Sequence, residues 1–451
     1  MFGAYFMLEH CKKLKINIRS VNNFKSMSSS SKKSRDMLGR TNVVSLDEAQ
    51  QLLQKQMPPL PGRKTVLPLE ESLGRISSED ILSPENLPPY PRSTMDGFAV
   101  RARDTYGASE KLPAYIEVSG EVKMGEFPEH GPGPGAGFAI ATGGILPPGT
   151  DAVVMFEHTV AIDERMIEVV QPVAEGANII DVGEDIALGE VLLPAGHRIR
   201  SQDIGLLAGV GLENISVYPR VRVGIIATGD EIIPHHQKPP PGKIRDTNSV
   251  SLAAQARSLN AKSVFYGIAP DDEESMTAMV QEAKAASDIV LLSGSSSVGT
   301  RDLGEKVIQR MGNPGIFVHG ISIKPGKPVI IARADDTMIF GLPGHPVSAA
   351  VSFDLFVRPA INHLSGLADI GLPRTRTIKA RLMRNISSAS GRTDFIRVQI
   401  SKVQGHEPEA YPILGKSGAL STLVKAHGYI EIAEKLQGLK EGEIVEVVLF
   451  D

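Results

Sequence analysis

The chain has 451 residues, 41% of them hydrophobic and 22% charged, which suits an ordinary soluble globular protein of roughly two to four domains. A net charge of −4 and the lack of any run of about 18 apolar residues argue against nonspecific nucleic-acid binding and against a membrane span. A single cysteine, Cys11, excludes intrachain disulfides and cysteine-cluster metal sites, and fits a reducing compartment.

Charge is unevenly spread. Residues 1–41 hold nine Lys/Arg and two Asp/Glu, a balance of +7, which leaves −11 on the acidic body that follows. This basic stretch, with its Ser28 to Ser31 run, reads as a disordered N-terminal extension. Met27 and Met37 can both serve as initiators, so an over-long start on a cytoplasmic protein is the expectation, with an organellar transit peptide as the alternative. Ser45 predicts the N-cap of a helix over Leu46 to Gln56, with Glu48 placed for a capping box.

Residues 64–181 carry many glycines and prolines among short apolar runs such as Phe138 to Thr142 and Asp151 to Met155, which predicts a β-rich domain. Within it Gly131-Pro-Gly-Pro-Gly-Ala-Gly137 mimics a dinucleotide fingerprint, but its prolines and the lack of a following helical pattern make it a loop. Asp203 to Val210 predicts a short helix. From Arg220 the chain alternates apolar runs (Val264 to Ala269, Asp288 to Leu292, Thr337 to Leu342) with helical patterns (Ser249 to Leu259, Glu274 to Ser287). That alternation predicts a doubly wound parallel α/β domain over 219–367. Beyond it short strands return (Thr377 to Leu382, Phe395 to Ile400, Gly428 to Ile432, Ile444 to Leu449), giving a C-terminal β-barrel or sandwich over 368–451.

Open α/β sheets bind ligands at the carboxyl ends of their strands, and four polar loops fall there. They are Thr228-Gly229-Asp230-Glu231, Pro270-Asp271-Asp272, Ser293 to Asp302, and Gly341 to Pro346. Asp271 and Asp272 fit either cation binding or a helix cap. The small residues of the third loop fit a plain turn or an anion nest, and His345 reads as a loop hydrogen-bonder. The Lys324-Pro-Gly-Lys327-Pro328 turn fixes two lysines three residues apart, a receptor suited to a phosphate-like oxyanion. Gly415-Lys416-Ser417 mimics the end of a P-loop, yet the position that needs its first glycine holds Ala410. Carboxylates for a hard cation beside lysines for anions make a site for a phosphorylated substrate.

These motifs resemble those of the MoeA-type molybdopterin molybdenumtransferases, the family that includes the gephyrin E domain. The resemblance runs through Pro91 to Val100, Thr142-Gly-Gly, Gly183-Glu-Asp185-Ile, Thr228 to Glu231, Asp246-Thr-Asn248, Ser297 to Asp302, Lys324 to Pro328, Leu342 to Pro346, Gly391-Arg392-Thr and Lys416-Ser417-Gly. It covers nearly all of 42–451. It implies a multidomain α/β plus β fold: an elongated helical segment (42–63 and 182–218), an inserted β-rich domain (64–181), a molybdopterin-binding α/β domain and a C-terminal β-barrel-like domain. The implied reaction inserts molybdate into adenylylated molybdopterin and releases AMP, in an elongated homodimer that hands over to or from an adenylyltransferase partner and molybdoenzymes.

On the oxyanion side the resemblance places Lys324, Lys327, Pro328, Ser297, Arg392 and Ser417, with Thr228 and Gly229 also binding substrate. Asp302, Glu231 and Asp271 would hold Mg²⁺, and Asp96, Thr142 and Asp185 would complete the pocket from the preceding domains. Asp302, Asp96 and Lys327 are the catalytic candidates. One departure concerns Thr300, which stands where many relatives have an acid. An adenylyltransferase and a noncatalytic scaffold of the gephyrin kind are the competing readings.

Overall fold

A computed structural model describes residues 43–60, 62–294, 300–368, 377–401 and 407–450, without the side chains of 300–302. The expectations for residues 1–41, Ser297, Thr300 and the Asp302 carboxylate therefore lie outside the described residues.

Ser45 does cap the first helix, Leu46–Gln56, by accepting from Glu48 N at 3.2 Å. The helix buries Leu46, Ala49 and Leu53, spaced to share one face, against the α/β sheet. Val44 pairs with Ile321, and His363 Nε2 meets Pro58 O at 2.8 Å, so this stretch lies along the α/β body.

Thr65–Pro68 pairs antiparallel with Asn214–Val217, and Ile81–Leu82 with Val191–Leu193. These pairings cross the expected limits at 64 and 181. With the helix Ser201–Gly209 they enclose a core of Leu69, Ile81, Leu193, Ile199, Leu207, Ile215 and Val217. Buried Asp203 ties the helix start down, accepting from Arg200 N at 2.8 Å and meeting His197 Nε2 at 2.7 Å. The Arg200 guanidinium, then His197 and the Arg200 N–H, hold its carboxyl far below the usual range despite burial.

Between those flanks lies a six-stranded sheet in the order Ala152–Met155, Gly97–Val100, Ala136–Ile140, Ala114–Val122, Met166–Val169, Thr159–Ala161. Gly97 is required by close approach: a Cβ there would lie 2.0 Å from Val154 O. The glycine run is loop up to Gly135, as its prolines predict, and its last two residues, Ala136 and Gly137, begin the strand Ala136–Ile140.

The α/β sheet runs Lys262–Ala269, Arg222–Thr228, Ile289–Ser293, Thr337–Leu342, Ile330–Ala334, Pro314–His319. The first four strands are parallel, as expected, and the last two add an antiparallel edge. Alternate residues face opposite cores. Ile225, Leu291 and Phe340 pack with the helix Asn248–Ser258, whereas Ile226, Leu292 and Ile339 pack with Glu273–Ala286. Helices thus cover both faces.

The C-terminal strands close on themselves. Thr393–Ser401 pairs with Glu409–Pro412 and with Gly428–Ile432, and Thr377–Leu382 and Ile444–Leu449 complete the ring. Ile323–Lys324, from the middle of the α/β segment, joins this sheet by pairing parallel with Thr393–Ser401. The lysine turn thus lies between the edge strands Pro314–His319 and Ile330–Ala334 of the α/β sheet and also reaches the barrel. Among the described residues no helix is long and apolar enough to cross a membrane.

Candidate functional site

Parallel register fixes the four polar loops at one edge, because Thr228 lies level with Ala269, Ala227 with Ser293, and Ser293 with Leu342. Two close contacts hold the central loops together. Gly294 has φ +110°, and a Cβ there would lie 2.3 Å from Thr228 O, so any side chain would part the strand ends. Asn248, at the start of its helix, donates Nδ2 to Ser293 Oγ and to Gly344 O, each at 2.9 Å. Thr228 is buried with its hydroxyl donating to Ser293 O at 3.3 Å, a position that supports the edge from beneath.

At one side of this edge stand the acids. Asp271 N donates to Asp230 Oδ1 at 3.1 Å, and Asp230 N approaches Asp271 Oδ2 at 3.5 Å. Burial pushes the Asp271 carboxyl up, the Asp230 N–H partly opposes this, and the charges of Asp230 and Glu231 raise it further. Gly229, at φ +130°, leaves room for the Glu231 carboxylate, which a Cβ would meet at 2.6 Å. Asp272 takes the other role left open by sequence. It caps Glu273–Ala286 by accepting from Ser275 N at 2.8 Å, which lowers its carboxyl. Lys243 Nζ donates to Asp230 O. Among the described residues no three His, Cys, Asp or Glu side chains converge as a metal ligand set.

The cationic part is assembled from distant sequence. Lys324 lies opposite Asp394 in the barrel register, and buried Asp394 accepts from Arg392 Nε at 2.7 Å. Ser322 Oγ donates to Gly391 O at 2.6 Å, binding the chain before the turn to the chain before Arg392. Lys324 is exposed, and Lys327 and Pro328 are half-buried. Ser417 Oγ meets His345 Nδ1 at 2.9 Å, and Val347 N donates to Ser417 O at 3.1 Å, which brings the Gly415 to Gly418 loop to the carboxyl edge. Beneath that loop, buried Arg397 donates Nη2 to Gly415 O at 3.1 Å.

Asp96 and Thr142 are brought together in the six-stranded sheet. Asp96 Oδ1 accepts from Thr142 N at 2.7 Å and from its hydroxyl at 2.9 Å, and these bonds, backbone first, lower the exposed carboxyl. Asp185 is exposed and anchored by its N–H to Leu87 O at 3.2 Å. Among the described residues no hydrogen bond joins Asp96 or Thr142 to the carboxyl-edge loops. Sequence reasoning passed over Asn248 and Arg397 as structural parts of the site. Asn248 had a signal, the Asp246-Thr-Asn248 motif just before a helix, whereas Arg397 had none.

Three family models match in order: "MoeA N-terminal region (domain I and II)" over residues 44–211, "Probable molybdopterin binding domain" over 224–363, and "MoeA C-terminal region (domain IV)" over 379–450. A molybdopterin biosynthesis protein of Methanocaldococcus jannaschii is 35% identical over 389 residues, covering 84% of this chain and 90% of its own length. The molybdopterin molybdenumtransferase of Bacillus subtilis is 33% identical over 420 residues, covering 92% and 95%. The crystal structure of the molybdopterin biosynthesis moeA protein of Pyrococcus horikoshii superposes with a TM-score of 0.78 at 32% identity, covering 90% of this chain and 100% of that one.

Proposed function

This chain belongs to the MoeA family of transferases that serve molybdenum cofactor biosynthesis, and we propose that it inserts molybdate into adenylylated molybdopterin, with Mg²⁺-dependent hydrolysis that releases AMP. The observation that carries this reading is the juxtaposition of an exposed Lys324 turn with Arg392 on one strand pair, in a chain whose α/β loops offer Asp230, Glu231 and Asp271. Molybdate and a pyrophosphate each carry about two negative charges, so at about 4 Å in water they repel by roughly four times the unit-pair value of about 1 kcal/mol. Positive side chains must offset that repulsion. Lys324, Lys327 and Arg392 supply them, with Ser297 and Ser417 as neutral donors.

The acid rim fits Mg²⁺, which favours a few carboxylates together with waters and substrate phosphates over a closed protein cage. Burial first, and then the charges of Asp230 and Glu231, raise the Asp271 carboxyl, and a bound cation would favour its ionised form. Asp271, Glu231 and Asp302 would be its protein ligands, and bound there it would neutralise charge on the pyrophosphate. Asp96, held ionised by Thr142, would serve as a carboxylate that orients the attacking water, with Asp185 contributed by the adjoining segment. Hydrolysis adds that water across the phosphorus–oxygen–phosphorus bridge, and AMP leaves. The protein would act as a cytoplasmic homodimer, receiving substrate from an adenylyltransferase and passing product to molybdoenzymes.

Incubating the purified chain with ATP and unmodified molybdopterin, and separately with adenylylated molybdopterin, tests this reading. AMP appears in the second mixture when Mg²⁺ and molybdate are present, and ATP is not consumed in the first. ATP consumption would establish the adenylyltransferase instead.

A further inference from the structure

A pocket of arginines lies at the opposite edge of the α/β sheet from the candidate site, beside the starts of Arg222–Thr228 and Lys262–Ala269. Arg75, Arg198 and Arg220 line it, together with Tyr218, Asn260 and Ser365. The cleft is open to solvent: its space reaches about 280 Å³ only with the mouth included, about 10 Å³ of it deep enough to hold a water, and its apolar wall is built from Ile76, Val221, Leu259 and Ile361. Among the described residues no carboxylate lines it. Arg75 is 8% exposed and commits Nη2 to Tyr218 O at 2.7 Å. Arg198 is half-buried and, among the described residues, makes no ion pair. Its charged neighbour is Arg358, which itself pairs with Asp354.

Burial, and then the facing charge of Arg220, lowers the Arg75 pKa, while burial and Arg358 act on Arg198 in the same way. Guanidinium groups do not shed their proton under ordinary conditions, so a partly buried cluster of them favours an anion beside it. Their planar forks suit the paired oxygens of a tetrahedral oxyanion.

We propose that this pocket binds a small tetrahedral oxyanion of the phosphate, sulfate or molybdate class, at a site separate from the carboxyl edge. Such an ion joins Arg75 and Arg198, from the strand-paired flanks, to Arg220 and Asn260 on the α/β body. The proposal does not depend on the reaction assigned above.

Isothermal titration with inorganic phosphate tests it, using the full chain carrying Lys327→Ala so that the lysine turn is weakened as a competing site. Saturable binding of one phosphate per chain is expected, displaced by sulfate and by molybdate, and their relative potencies identify the preferred ion. Losing a charge-assisted bond in Arg198→Gln should weaken binding at least about tenfold. Arg220→Gln, at an exposed position, should weaken it in the same direction with an unchanged circular dichroism spectrum, and Arg198→Lys should retain part of the affinity. No binding at millimolar phosphate, or binding indifferent to both glutamine substitutions, would overturn the proposal.

Discussion

Asn248 is the side chain whose loss should separate the site from the fold most cleanly. One amide nitrogen holds both Ser293 Oγ and Gly344 O at 2.9 Å, and the residue is 8% exposed, so neither bond is easily replaced by water. A buried hydrogen bond contributes about 0.5–1.5 kcal/mol net, so Asn248→Ala should cost about 1–3 kcal/mol. Asn248→Asp keeps the shape and lets the Ser293 hydroxyl donate, but it sets a carboxylate against the Gly344 carbonyl, so it should cost at least as much. The chain has no tryptophan, so urea unfolding is best followed by far-ultraviolet circular dichroism. Because the two bonds set the spacing of two site loops, AMP release should fall even under conditions where both variants remain folded. An alanine variant within about 0.5 kcal/mol of wild type and with full turnover would refute the clamp.

Lys327→Ala should abolish molybdate-dependent AMP release, and Lys327→Arg should restore only part of it, because a fork is not a point charge; turnover of the alanine variant at the wild-type rate would remove Lys327 from the oxyanion site. Asp271 has a folded-state carboxyl raised above its unfolded value, so it contributes stability below about pH 4 that is lost as pH rises through the folded value. In EDTA, Asp271→Asn should therefore gain on wild type as pH rises, and Mg²⁺ should stabilise wild type more than the variant; identical pH profiles would contradict this. Asp302→Asn should raise the Mg²⁺ needed for half-maximal activity while leaving unfolding nearly unchanged, and an unaltered Mg²⁺ dependence would show that it is no ligand. If Asp96 of one subunit serves the Lys327 of the other, co-expressed Asp96→Ala and Lys327→Ala chains should recover roughly a quarter of wild-type activity, since about half the dimers would carry one intact site. Inactive heterodimers would place both residues in one subunit's site.

Local signals in the sequence carried most of the fold. Thr377–Leu382, Gly428–Ile432 and Ile444–Leu449 have the ends that their alternating apolar patterns predict, and Ser45 caps the helix it should. The carboxyl-edge loops follow from the βα alternation, because parallel strands leave their C-terminal ends on one side. What stayed hidden was long-range. The pairing of Lys324 with Asp394, the Ser417 to His345 contact and the Arg397 bond to Gly415 link separate parts of the chain, and no periodicity encodes them. The Thr228 hydroxyl, which donates inward to Ser293 O and so helps hold the strand end that displays the loop, is another such link.

The central claim is that molybdenum transfer and AMP release are one reaction. Its most direct measurement is a single-turnover experiment with adenylylated molybdopterin, Mg²⁺ and excess molybdate, counting AMP released against molybdenum retained on the pterin after gel filtration. The account predicts equal amounts, appearing together, with no AMP when molybdate is omitted. AMP released at the same rate without molybdate, or molybdenum retained with no AMP, would contradict it.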